Sequence, residues 1–156
     1  GQYYLDKNMG REVSLAEATA IIQDCRDAGL VTQPATSQNP TGMCNCCGDC
    51  CGVLNALNKH PKPAEMVFSN HLAMADNDEC TGCEQCLERC QMDAVFMNDD
   101  ELAQVNPDRC IGCGLCVTTC PVEAIKLIPK PETAFRLPPA NTAEQMFLMA
   151  QKRGII

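Results

Sequence analysis

Two stretches of this chain match position for position. DECTGCEQCLERCQMDAVFM (78–97) and DRCIGCGLCVTTCPVEAIKL (108–127) carry their cysteines at a period of 110 − 80 = 30 residues. Each unit spaces them x2, x2 and x3: Cys80, Cys83, Cys86 and Cys90, then Cys110, Cys113, Cys116 and Cys120. No other feature restricts the fold so tightly. Three thiolates spaced this way wrap a loop around one polynuclear centre, and the fourth, carried off on a helical turn, reaches the neighbouring centre. The two loops must then lie side by side, each completing the other.

The spacing predicts two [4Fe-4S] clusters, one held by Cys80, Cys83, Cys86 and Cys120, the other by Cys110, Cys113, Cys116 and Cys90. Zinc is served by paired C-x2-C knuckles and needs neither the third x2-spaced cysteine nor the x3 one. Disulfides leave the thirty-residue period unexplained. Gly82, Gly112 and Gly114 are expected to let the backbone approach inorganic sulfur and donate N–H groups to it. Leu87, Val95, Ile111, Leu115, Val117 and Ile125 are candidates for the apolar jacket that limits water access.

With these residues in place, 71–128 resembles a bacterial-type ferredoxin domain with two [4Fe-4S] clusters. The resemblance implies an α+β fold: a ferredoxin-like, pseudo-twofold two-cluster unit, here flanked by N- and C-terminal helices. One departure stands out. Gln91 occupies the place where the second unit has Pro121. Proline there fixes φ and removes an N–H, so the exit from Cys90 is expected to be looser, with no ligand lost.

A second dense run, CNCCGDCCG (44–52), puts five cysteines into eight positions. Cys44, Cys47 and Cys50 repeat the x2, x2 intervals, but Leu54 stands where the x3 cysteine belongs. A fourth ligand has to come from Cys46, Cys51, Cys25 or a partner chain; Cys44, Cys47, Cys50 and Cys51 are one candidate third site. Cys46, Cys47, Cys50 and Cys51 are another foursome, since adjacent and x3-spaced thiols can share a helical turn. A third iron–sulfur cluster, zinc and a redox-active dithiol all fit this composition. The flanks also resemble, more weakly, parts of larger iron–sulfur proteins with a CxCC stretch before a dicluster unit. That resemblance implies that the chain is the C-terminal part of a longer protein.

Three regions are expected: 1–70, helical with the cysteine-dense motif; 71–128, the dicluster unit; and 129–156, a Pro-rich extended tail closing in a helix. Residues 14–28 read as a helix with a Ser14/Glu17 capping box and an apolar face of Leu15, Ala18, Ile22 and Cys25. Cys25 reads as a small buried hydrophobe on that face. Residues 32–43 read as a loop, 52–60 as a short helix stopped by Pro61, and 142–154 as a helix with a T-x-x-Q cap.

The formal charge of −8 argues against nucleic-acid binding and suits docking onto basic patches of a protein. No signal peptide and no apolar run long enough to span a bilayer is visible, so a cytoplasmic location without membrane insertion is expected. There is no G-x-G-x-x-G and no P-loop, and His60 and His71 stand far apart. These readings converge on one-electron transfer to a redox protein partner, as a carrier or as a subunit of a larger complex. A stand-alone enzyme is the weaker reading. The alternative is an iron–sulfur enzyme subunit whose third metal site, at 44–51, binds substrate.

Overall fold

The computed structural model describes residues 1–156. A short helix α1 (Gln2–Asp6) precedes α2 (Leu15–Asp27). The Ser14 hydroxyl accepts the Glu17 N–H at 3.2 Å, as the capping signature predicts. Glu17 itself turns away to an ion pair with Arg11, so only half of the box forms. The apolar face of α2 is weaker than its spacing implies: no residue of the helix is buried and Leu15 is 85% exposed. Cys25 is half-buried there.

Residues 35–42 of the expected loop at 32–43 are a loop, but its two ends belong to a hairpin. Strands β1 (Val31–Pro34) and β2 (Met43–Cys46) pair antiparallel, with Val31 opposite Cys46 and Gln33 opposite Cys44. Thr32 and Asn45 hydrogen-bond across the pair at 2.7 Å. Next come α3 (Gly52–Lys59), which ends just before Pro61, and α4 (Pro63–Met66), with Pro63 in its first turn.

The repeat then lays down β3 (His71–Ala75), α5 (Gln85–Arg89), β4 (Val95–Met97), β5 (Ala103–Val105), α6 (Leu115–Thr119) and β6 (Ile125–Pro129). β3 pairs with β6 and β4 with β5, both antiparallel. Ala73 lies opposite Leu127, and thirty residues away Ala103 lies opposite Met97. Helices α5 and α6 pack against each other. This is a small α+β arrangement of the ferredoxin-like kind. A 3₁₀ turn (Glu132–Ala134) and α7 (Thr142–Lys152) complete the chain. The cap of α7 is one residue earlier than its T-x-x-Q signature implies: Asn141 Oδ1 accepts the Glu144 N–H at 3.0 Å.

One buried cluster runs through both the repeat and the residues before it. Val31 and Leu54 belong to it together with Met92, Leu115 and Ile125, all at 2% exposure or less. Polar ties reinforce this junction. Arg89 donates to the carbonyls of Arg26 and Asp27 at the end of α2. Arg109 donates to the Met92 carbonyl at 2.7 Å and to Asn58. At the other end, Arg136 lies 4.4 Å over the Phe68 ring and donates to the Glu65 carbonyl. No helix is long and apolar enough to cross a membrane.

Candidate metal centres

Each unit folds its cysteine run in the same way. After a turn, the chain passes through a glycine with φ of +68°, Gly82 or Gly112, then enters a five-residue helix through a left-handed residue, Glu84 or Gly114. The first two cysteines lie on the loop, the third on the helix, and the fourth at its C-terminal end. A Cβ on Gly82 would stand 2.7 Å from the Glu101 carbonyl oxygen, and one on Gly112 would collide with the His71 carbonyl and the Ser69 hydroxyl. Glycine is thus required because backbone from a neighbouring segment already occupies the space, a constraint additional to the expected approach to sulfur.

The two loops surround two concavities. Cys80, Cys83, Cys86 and Cys120 line the first, with Met97, Val122 and Ile125 among its walls. Cys90, Cys110, Cys113 and Cys116 line the second, with Met92, Val95, Val105 and Ile111. Of the expected jacket, Val95, Ile111, Leu115 and Ile125 are buried, while Leu87 and Val117 pack half-buried against the core. Met92, Met97 and Val122 are wall residues that the sequence reading passed over.

Four alanines were also missed. Their N–H groups donate to cysteine sulfur: Ala94 to Cys90 at 3.2 Å and Ala124 to Cys120 at 3.3 Å. Ala73 donates to Cys110 at 3.4 Å and Ala103 to Cys80 at 3.5 Å. All four are buried and fall in pairs thirty residues apart. A small residue recurring with the cysteine period was the available signal. N–H groups aimed at sulfur stabilise thiolate charge.

These donors suit an iron–sulfur cluster. Burial, and then the charges of Cys83, Cys80 and Cys120, raise the Cys86 thiol pKa. Burial followed by Cys113, Cys90 and Cys110 pushes Cys116 up to about 12. Four soft sulfurs gathered in an apolar space can all be thiolates only if bound metal supplies positive charge. No three of these eight sulfurs come within 4.8 Å of one another, a spread that suits the corners of a polynuclear cluster.

The 44–51 loop is built differently. The neighbouring Cys44 thiol above all, then burial and Cys51, push the Cys46 thiol up to about 11. Cys51 caps α3, where the Leu54 N–H in particular lowers its pKa. Gln33 Nε2 faces both Cys44 and Cys51, at 3.8 and 4.0 Å. Cys47 and Cys50 gather instead on Asp49. The candidate foursome Cys44, Cys47, Cys50 and Cys51 is therefore divided between two groups, with Cys46 added to the first.

Gln91 joins this loop to the second cavity. Its Oε1 accepts the Gly48 N–H at 2.8 Å and its Nε2 donates to the Gly29 carbonyl at 3.1 Å, while the residue lines the cavity beside Cys90. The departure from proline thus tightens this exit, where a looser one was expected. His60 accepts the Lys62 N–H through Nδ1, and His71 opens β3 on the exposed surface; neither faces a cysteine cavity.

No curated protein matches the chain. The model of one family, the 4Fe-4S dicluster domain, matches residues 73–127. That span begins at the alanine that donates to Cys110 and contains both cavities with all eight of their cysteines. A domain of this kind points to electron transfer through iron–sulfur clusters. Over residues 73–127 the chain is thus similar to the 4Fe-4S dicluster domain.

Proposed function

We propose that the chain transfers single electrons to or from a redox protein partner, either as a free carrier or as the electron-transfer subunit of an oxidoreductase. Cys80, Cys83, Cys86 and Cys120 would hold one [4Fe-4S] cluster, and Cys110, Cys113, Cys116 and Cys90 the other. When bound, such clusters supply one-electron redox chemistry. The observation that carries the reading is the interleaving of the two cysteine sets. Each cavity takes three sulfurs from its own loop and one from the other, so each set depends on the other.

The chain's own residues define the surroundings. The alanine N–H groups favour negative sulfur, and the apolar walls exclude water. Cys86 and Cys116 are both buried, on helices packed against each other, and the Cys116 thiol is influenced by Cys86, which brings the two sets close. The thirty-residue relation between the strand registers supports reading the halves as a pseudo-twofold pair. Glu79, Glu84, Glu88, Asp99, Asp100 and Glu101 are all exposed around the first unit, which suits a basic partner there. Within this reading the protein works away from the membrane interior, in the cytoplasm.

The test is an anaerobic count of iron and acid-labile sulfide, with electron paramagnetic resonance of the dithionite-reduced protein. About eight irons and about eight sulfides per chain are expected, together with the spectrum of two magnetically interacting reduced clusters. Zinc without sulfide would overturn the reading.

A further inference from the structure

Among all Cys, His, Asp and Glu side chains, one group brings three ligand atoms within 4.8 Å of one another: Cys47, Asp49 and Cys50. The dicluster domain uses none of them. We propose that this turn is a separate site for a single soft divalent cation of the zinc class, with Cys47 and Cys50 as thiolate ligands and Asp49 as the third donor.

The distances separate this site from a third cluster. Four sulfurs about 2.3 Å from one zinc ion lie about 4 Å apart, whereas sulfurs on the corners of a cubane are held further apart by the irons between them. The eight sulfurs of the dicluster domain have the wider spread, and the Cys47 group has the narrow one. The trio of Cys44, Cys46 and Cys51 does not converge to the same degree. Cys46 and Cys51 pack against the core, so burial accounts for them.

The turn is also fixed before any ion arrives. Asp49 Oδ1 already accepts the Cys47 thiol at 2.5 Å and the Cys50 N–H at 2.8 Å. Gly48, between the donors, is held on both sides: its N–H by Gln91 and its carbonyl by Asn55 Nδ2 at 3.4 Å. Preorganisation of this kind lowers the cost of gathering ligands. The cation displaces the thiol protons of Cys47 and Cys50, releasing both, and a cation of charge +2 with two thiolates and one carboxylate leaves the group at −1. Asp49 and Cys50 are exposed, so a fourth position faces solvent.

The experiment measures zinc, iron and sulfide on the full chain, expressed with both metals supplied and purified anaerobically. About one zinc beside about eight irons is expected. Cys47→Ser with Cys50→Ser should lose the zinc and keep the iron. If that variant loses iron as well, Asp49→Asn decides: competition with a chelator should show zinc held at least about tenfold more weakly, with the iron count unchanged. Three results would each overturn the site: wild type without zinc, about twelve irons with matching sulfide, or zinc held as tightly after these substitutions. The eight-iron count tests the dicluster reading separately, so the two can fail independently.

Discussion

The two cavities of the dicluster domain share their ligand pattern, glycines and alanine donors, and differ in what lies outside these. The first has Glu84 in the left-handed position that opens its helix, with exposed acids nearby. The second has Gly114 in that position, and Gln91 and Arg109 hold segments from the first half of the chain beside it. Sulfur positions are alike because metal geometry leaves them no freedom. The positions between the sulfurs are free, and there the two halves have diverged. One faces outward and the other carries the rest of the chain.

Substitutions can break or sharpen this contrast. The largest effect is expected from Cys83→Ala, which removes a ligand from the first set. About four of eight irons should be lost, and, because Cys120 and Cys90 tie the cavities together, the second cluster should be destabilised too. Iron counts and circular dichroism check this; a variant with full iron and the native spectrum would show that Cys83 is dispensable.

Gln91→Pro makes the first unit resemble the second. It removes two hydrogen bonds, each contributing about 1 kcal/mol, so the chain should lose about 2 kcal/mol. Hydrogen exchange should quicken around Gly29 and Gly48 while the first cavity keeps its protection. Equal protection in wild type and variant would mean that the buried contacts of Val31 and Leu54 hold this junction alone.

Glu84→Gly makes the opposite exchange. Glu84 has a φ of +60°, where a side chain costs about 1 kcal/mol and glycine does not. The variant should gain up to about 1 kcal/mol, read as a higher denaturation midpoint. A loss would show that the Glu84 side chain contributes more than its backbone costs.

The smallest effect concerns docking. Glu84→Lys with Glu88→Lys should slow electron transfer to a basic partner several-fold at low salt, and the difference should shrink as salt screens the charges. Rates indifferent to both would move docking to another face.

The repeat was legible because ligand spacing is a local property, and Ser14 was legible because a cap is read within four residues. The β1–β2 hairpin was not. Its strands have four residues each, one ends in Pro34, and the other carries cysteines that drew attention as ligands. Its pairing is a long-range fact that composition conceals. Arg109 carried no signal for a similar reason: it is half-buried and spends its guanidinium on Asn58 and Met92, partners that lie far from it in sequence. The division of the 44–51 cysteines was equally hidden, because neighbours in sequence turn to different partners once β2 ends at Cys46.

Gln91 also bears on the order of assembly. It directly follows Cys90, a cysteine that helps to complete the second cavity, and its amide holds both Gly48 and Gly29. In a newly made chain that has not received its metal, Cys90 keeps only its protein contacts, such as the Ala94 N–H, and the amide beside it should be held less firmly against either glycine. The first half of the molecule is therefore expected to dock late, after the cofactor is in place. Until then the segment around β1 and β2 should be more open to proteases, so a cell's quality control could tell a filled chain from an empty one by that segment alone.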